Sequence, residues 1–156
     1  MCLLVVCNPN STPSKDDLHA GACSNPHGFG FAIIADDKII SERSMSAKKS
    51  IARFLELRAQ YPDDYAMWHA RLATHGSMTI DNCHPFQVGG DSQTWLGHNG
   101  ILPVLEDNTD RSDTRIFAED VLTNMGGIKA LDDEQLLNIV EDFSVGSKLC
   151  ILTVDP

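Results

Sequence analysis

The chain has 156 residues, of which 42% are hydrophobic and 22% are charged, and its formal net charge at pH 7 is −10. This length and composition are typical of one globular domain with a hydrophobic core, so residues 1–156 are expected to form a single domain. The acidic balance argues against nucleic-acid and anionic-membrane partners, because both kinds of surface need clustered Lys and Arg.

The apolar pattern of the first half predicts mainly strands. In chain order we expect a strand, a turn-rich loop, a hairpin of two strands, a helix and a further strand: residues 2–7, 8–17, 28–36 with 38–43, 44–61 and 65–73. The hairpin turns at Asp36-Asp37. Ser44 or Ser46 can cap the helix, and Pro62 ends it.

The second half is predicted to contain more helix. We expect a long polar loop, a short strand, two helices and a final strand: residues 74–92, 93–102, 113–125, 132–143 and 147–154. Ser112 and either Asp132 or Asp133 fit the helix caps. Hairpins mixed with helices, without regular alternation, favour an α+β fold. The abrupt end at Pro156 is consistent with a C-terminally shortened form of a larger fold.

The five cysteines are scattered along the chain: Cys2, Cys7, Cys23, Cys83 and Cys150. No apolar run is long enough to span a membrane, and the N-terminal one lacks the basic segment of a signal peptide. We therefore expect reduced thiols and a cytoplasmic protein. Cysteine and histidine do not occur at a recognised metal-binding spacing, so no metal site is predicted.

Four stretches contain candidates for chemistry: Cys2, "HARLATHG" (69–76) with "NCHPF" (82–86), "GHNG" (97–100) and "RSDT" (111–114). In this order they resemble the class II glutamine amidotransferases, a family of N-terminal-nucleophile hydrolases. "PHGFGFAI" resembles a stand-alone branch of that superfamily, but His27 takes the place of the Asp in its usual D-G-x-G motif. The resemblance extends over about residues 2–125.

The resemblance implies a four-layer αββα sandwich that needs no metal or organic cofactor. It implies that Asn99 and Gly100 form the oxyanion hole and that Arg71 holds the α-carboxylate of glutamine. Asp113 would receive the α-ammonium, and Thr74 and His75 would contact the substrate from the binding loop.

The residues themselves leave alternatives open. Cys2 combines a thiol with an α-amine once Met1 is removed, and that amine can act as a base near neutral pH, but it also fits an ordinary buried strand residue. Asn99-Gly100 also fits a tight turn, and Arg71 a surface ion pair. Asp113 suits a helix start, where a carboxylate is favoured anyway.

The remaining histidines and tryptophans are interpreted as structural. His69, His84 and His98 are expected to be hydrogen-bonded residues beside the site, because the α-amine serves as the base. Trp68 and Trp95 are expected to lie in the core.

Three functions are compatible with these residues. The first is hydrolysis of the side-chain amide of L-glutamine through Cys2, giving glutamate and ammonia for a synthase that acts in trans. The second is hydrolysis of a larger γ-glutamyl amide, which the "NCHPF" likeness supports. The third is a non-catalytic module that binds glutamine or scaffolds a partner. His27 in place of Asp supports this function, and a retained Met1 would support it too.

Overall fold

The structure of the protein is a computed structural model, which describes residues 2–104 and 109–154. Its first sheet contains β1 (Leu3–Cys7), β2 (Phe29–Ala35), β3 (Lys38–Ser44) and β4 (Ala66–Ala70). These strands lie in the order β1-β4-β2-β3, and every neighbouring pair is antiparallel. The pairing of β1 with β4 therefore brings the N-terminal end of β1 next to residue 70.

The second sheet contains β5 (Phe86–Val88), β6 (Asp91–Asn99) and β7 (Lys148–Thr153), in that order and antiparallel. β6 is its central strand and is buried over most of its second half. Asn99 is the last residue of β6 and pairs with Lys148, the first residue of β7.

Helices cover the outer face of each sheet. Their bounds are α1 (Lys15–Ser24), α2 (Ala47–Gln60), α3 (Asp113–Ile116), α4 (Leu122–Asn124) and α5 (Glu134–Phe143). A π-helical segment, Phe117–Val121, joins α3 to α4, and 3-10 turns occupy Ile80–Asn82 and Gly127–Asp132. None of the described helices has the length and apolarity needed to cross a membrane.

Three hydrophobic clusters separate four layers. The first packs α1 and α2 against the first sheet around Phe31, Phe54 and Trp68. The second packs the helices after β6 against the second sheet around Leu96 and Phe117. The third lies between the sheets and includes Met67 of β4 and Leu152 of β7. The order helix, sheet, sheet, helix confirms the expected αββα sandwich.

Most predicted elements are present. The hairpin turns at Asp36, whose φ is 55°, and the side chains of Ser46, Ser112 and Asp133 accept the N-terminal amides of their helices. Trp68 is fully buried, whereas Trp95 is only partly buried against the cluster between the sheets.

Two predictions were wrong. Residues 8–17 are not loop throughout, since α1 begins at Lys15 and is capped by Ser14. The polar stretch 74–92 is not one loop either, because β5 lies within it and pairs with β6. The helix predicted over 113–125 is present, but its middle is π-helical.

Candidate active site

Cys2 and Arg71 are brought together by strand pairing. β1 and β4 are antiparallel with Leu3 opposite Ala70, so the residue before β1 lies beside the residues after β4. The Cys2 thiol is half-buried and contacts the backbone of Leu72: the Leu72 N–H donates to Sγ at 3.3 Å, and Sγ lies 3.5 Å from the Leu72 carbonyl. Met1 lies outside the described residues.

Arg71 holds the loop that follows it. The residue is 2% exposed, and its guanidinium donates from Nη1 to the Ser77 carbonyl at 2.7 Å and from Nη2 to the His75 carbonyl at 2.6 Å. Charge-assisted hydrogen bonds of this length are strong, so they fix the loop 74–77 over the end of β4. A guanidinium carries five N–H donors, so these two bonds leave donors for a further acceptor.

Glycine is required at position 76, where the loop 74–77 packs against the backbone of residues 110–112. Its φ is +72°, and a Cβ on it would lie 2.7 Å from the Ser112 nitrogen and 2.8 Å from the Asp110 carbonyl oxygen. The Ser77 N–H donates to that same carbonyl at 3.1 Å. Only glycine permits this conformation and so close a backbone approach.

His27, at the position where the resemblance would place an Asp, supports the segment that follows β4. Its Nδ1 accepts the Ala73 N–H at 3.0 Å, and its own N–H donates to the Arg71 carbonyl at 2.9 Å. A carboxylate could accept the same N–H. His27 therefore supports residues 71–73, and the sequence contained no signal for this contact.

Asn99 and Gly100 lie at the end of β6. Asn99 is half-buried, and its Oδ1 is buried with no hydrogen-bond partner among the described residues. Gly100 has a φ of +150°, and a Cβ on it would approach Ser147 Oγ to 2.2 Å. The pair is therefore not a free tight turn, because Gly100 is pressed against the residue before β7.

Asp113 is 9% exposed and forms hydrogen bonds within the protein. Its Oδ2 accepts the Leu102 N–H at 2.8 Å, and its Oδ1 accepts the Thr114 N–H at 2.7 Å. The carboxylate thus ties the start of α3 to the segment that follows Gly100. The helix-start interpretation is confirmed, and the carboxylate still has acceptor capacity for a cation.

Three histidines lie close together, and two of them, His69 and His84, are stacked. The His69 and His84 rings lie 3.9 Å apart; His69 Nε2 donates to the His98 carbonyl, and His98 Nδ1 bonds Thr114 Oγ1, both at 2.8 Å. Burial lowers the pKa of His69 to about 3 and holds the pKa of His84 well below its usual value. These two rings are therefore neutral at pH 7.

The structural interpretation is confirmed for His69 and His98. His84 differs, because neither of its ring nitrogens has a hydrogen-bond partner among the described residues. Although the three rings are close, residues 2–104 and 109–154 contain no group of three His, Cys, Asp or Glu side chains placed to hold a metal ion.

Cys2 shares one electrostatic site with the two charged residues predicted for substrate binding. Burial raises the pKa of the Cys2 thiol above its usual value. The Leu72 hydrogen bond and the positive charge of Arg71 act against this rise, whereas the negative charge of Asp113 adds to it. The thiol is therefore mainly protonated at neutral pH and needs a base.

A cavity of about 530 Å³ lies beside this site. Four of its lining residues are on the loop 74–77, and the others include Asp113 and the apolar side chains of Leu102 and Ile116. The structure thus places Thr74, His75 and Asp113 around one space. The hydrogen bonds of the described residues do not join Cys2 to Asn99 or Gly100.

The rate at which Cys2 is alkylated should change in opposite directions when the charge of Arg71 or of Asp113 is removed. Arg71→Met raises the pKa of the thiol and should slow its reaction with iodoacetamide at pH 7.5, whereas Asp113→Asn should accelerate it. Each change should stay below about tenfold, which is the effect of one pKa unit. In each variant the rate should rise with pH. Peptide mass spectrometry gives the rate, with Cys150 as the internal reference because burial alone raises its pKa. Acceleration in both variants would indicate loosened packing instead.

Comparison with known proteins identifies the family. A family model described as class-II glutamine amidotransferases matches residues 16–118. Glutamine–fructose-6-phosphate aminotransferase [isomerizing] of Streptococcus pyogenes is 37% identical over 62 residues, which are 37% of this chain and 10% of that protein. The enzyme of the same name from Chlamydia caviae is 38% identical over 69 residues, which are 41% of this chain and 11% of that protein.

The fold also has a solved counterpart. Glutamine phosphoribosylpyrophosphate amidotransferase from B. subtilis, complexed with ADP and GMP, superposes with a TM-score of 0.61 at 17% identity, covering 99% of this chain and 35% of that chain. The αββα sandwich with a cysteine at the head of its first strand is that of an N-terminal-nucleophile hydrolase. Since the family model matches more than half of the residues, the chain belongs to the class II glutamine amidotransferases. It spans about a tenth of the length of the curated relatives it matches.

Proposed function

We propose that this domain hydrolyses the side-chain amide of L-glutamine, with Cys2 as the N-terminal nucleophile, and releases glutamate and ammonia. The observation that supports this most is the Cys2 thiol, which is half-buried, held by the Leu72 backbone and within electrostatic reach of both Arg71 and Asp113. A cation and an anion beside one thiol suit the two ends of an α-amino acid. Membership of the family supports the choice of glutamine.

The first half of the reaction forms a thioester. After removal of Met1, the α-amine of Cys2 takes the thiol proton, directly or through a water molecule, because its ordinary pKa of about 7.7–8.0 suits a base at neutral pH. Sγ then bonds to the amide carbon of glutamine, and the carbonyl oxygen becomes an oxyanion. Asn99 Nδ2 and the Gly100 N–H stabilise that charge. The C–N bond breaks as the ammonium form of the α-amine protonates the leaving nitrogen.

The second half restores the enzyme. Water loses a proton to the α-amine and attacks the γ-glutamyl thioester, and the same two donors hold the second oxyanion. The C–S bond breaks, glutamate leaves, and the thiolate recovers its proton. No metal or redox group enters this balance.

The head group of glutamine is held by the two charged residues. Arg71 retains N–H donors for the α-carboxylate after its bonds to the loop carbonyls, and Asp113 retains acceptor capacity for the α-ammonium. We place Thr74 and His75 beside them as further contacts, because both line the cavity that Asp113 enters.

The test combines mass and activity on one purified sample. Intact mass should show a protein without Met1, and incubation with L-glutamine should yield equal amounts of glutamate and ammonia. A protein without Met1 that releases neither product from glutamine would contradict the proposal. A protein that keeps Met1 and is inactive would support the non-catalytic binding module, because the α-amine would not belong to Cys2.

A larger γ-glutamyl amide is the second candidate substrate. The size of the cavity supports it, because cavities of roughly 300–1,000 Å³ accommodate drug-sized ligands. The cavity of about 530 Å³ is lined by Asp113 but not by Cys2, so a larger substrate would extend from the thiol past Asp113 into it. A panel of γ-glutamyl amides with leaving groups of increasing size, assayed beside glutamine, distinguishes the two. Higher kcat/KM for a large amide than for glutamine would favour this second function.

The ammonia is proposed to pass to a synthase that acts as partner. The names of the matched relatives describe enzymes that use glutamine as a nitrogen donor, which supports a coupled acceptor for this domain. We also propose a cytoplasmic location, since all five cysteines are free in the structure.

A further inference from the structure

We infer that Asn82 is the positioning residue that sets the spacing between Arg71 and Asp113, and thereby the ability of the site to recognise both ends of an α-amino acid. The inference rests on the proposed function, because it concerns how the same site holds glutamine. Asn82 ends the 3-10 turn Ile80–Asn82 and is 1% exposed.

The side-chain amide of Asn82 joins its own loop, between β4 and β5, to the segment that precedes α3. Nδ2 donates to the Ser77 carbonyl at 3.1 Å and to the Asp110 carbonyl at 2.6 Å, and it lies 3.2 Å from Ser77 Oγ. Oδ1 accepts the Ser112 N–H at 2.9 Å. Two carbonyls require a donor and one N–H requires an acceptor, so the orientation of the amide is fixed by its neighbours.

These contacts reach both ends of the proposed substrate. The Ser77 carbonyl that accepts from Asn82 is the same atom that accepts from Arg71 Nη1 at 2.7 Å. On the other side, Ser112 immediately precedes Asp113 and caps α3. The buried amide of Asn82 therefore bonds to the Ser77 carbonyl, which holds the Arg71 guanidinium. It also bonds to Ser112, the neighbour of Asp113.

Asn82 acts on the substrate only through its neighbours. The cavity is lined by Ser77 and Asp110, which accept its hydrogen bonds, and by Asp113, but not by Asn82 itself. Its role is therefore geometric. An error of about 1 Å in such a constellation can cost about 100-fold in rate, so the loss of this link should be measurable.

Asn82→Asp is the sharpest variant. It keeps an acceptor for the Ser112 N–H, but it replaces the donor with an oxygen that faces the Ser77 and Asp110 carbonyls. The loop 74–77 should move away and release Arg71 from its fixed position. Asn82→Ala is the second variant, because it removes the donors without adding a charge. Near-ultraviolet circular dichroism checks that each variant folds.

The informative measurement compares two substrates. L-Glutamine contacts both Arg71 and Asp113 in the proposed site, whereas butanamide, which lacks the α-carboxylate and the α-ammonium, contacts neither. The ratio of kcat/KM for glutamine to kcat/KM for the truncated amide should fall about tenfold or more in both variants, because the KM for glutamine rises. A residue that only stabilises the fold would lower both kcat/KM values together and leave the ratio unchanged.

Thr94→Val is the matched control. Thr94 is buried, and its Oγ1 bonds Asp91 and Thr153 at the opposite end of β6 from Asn99. It removes buried hydrogen bonds at a distance from the site, so the ratio should not change. Hydrogen exchange gives a second readout: segments 74–78 and 110–114 should exchange faster together in the Asn82 variants and not in Thr94→Val.

The outcomes separate this inference from the proposed function. A wild type that hydrolyses glutamine, with the ratio lowered only in the Asn82 variants, supports the inference. A wild type that hydrolyses glutamine, with the ratio or the exchange of the two segments unchanged in those variants, overturns it and leaves the function standing. A wild type that releases no glutamate overturns both.

Discussion

Replacing Cys2 with alanine should lower glutamate release by about 10⁴-fold or more, because no other group would form the thioester. Binding of glutamine should persist, since Arg71 and Asp113 keep their own contacts. Alanine is as small as cysteine beside Met1, so the variant should also lose Met1, and its α-amine remains. The comparison therefore isolates the thiol. Release is measured enzymatically, and binding is measured by calorimetry.

Cys150→Ala is the matched control for this variant. Cys150 is also a half-buried thiol whose pKa burial raises, but it lies in β7 and packs in the cluster between the sheets. Its replacement should leave kcat/KM for glutamine unchanged. Activity that survives in Cys2→Ala would mean that another group attacks the amide, and the proposed mechanism would be wrong.

The fold was predictable where the sequence pattern is local and strong. β1, the hairpin β2-β3 and α2 follow from continuous apolar runs, a tight turn and a regular apolar stripe. α1 was missed because its pattern is weak: of its ten residues only Leu18 and Ala22 are buried. Gly21 within it packs against Leu3 instead, so that position had no apolar side chain to indicate a buried face.

The site was predictable only as a set of residues. The adjacency of Cys2 and Arg71 depends on the pairing of β1 with β4, which joins segments about 65 residues apart in the sequence. Periodicity does not encode such pairing. Likewise, Asn82 belonged to a motif that contributed to the resemblance, but its bonds to residues 110 and 112 arise only when the loop after β4 meets the segment before α3.

Arg58 is the largest buried side chain whose role the sequence pattern did not indicate. It lies in α2, four residues after Phe54, and so on the buried stripe, although Arg side chains are mostly exposed in proteins. It is 1% exposed, and no carboxylate of the described residues bonds to it. Its two terminal nitrogens instead donate to five carbonyl oxygens, those of Asn8, Ser11, Tyr61, Pro62 and Asp64.

These bonds join two loops across the end of α2. The loop after β1 supplies two of the carbonyls, and the turn between α2 and β4 supplies three. Buried carbonyls need donors, and a guanidinium with its fork of N–H groups meets several at once. Arg58 therefore fixes the far ends of β1 and β4, the same two strands whose other ends hold Cys2 and Arg71.

Arg58→Met should destabilise the protein by about 3–5 kcal/mol, because methionine fills much of the space but leaves the carbonyls without their donors. For a domain of this size that corresponds to a fall in Tm of about 6–20 °C, measured by thermal denaturation. Arg53→Met on the same helix is the control: Arg53 is exposed and pairs with Glu42 and Glu56, so little change is expected. Equal melting of the two variants would mean that water can replace the guanidinium, and that the two loops do not depend on Arg58 for their position.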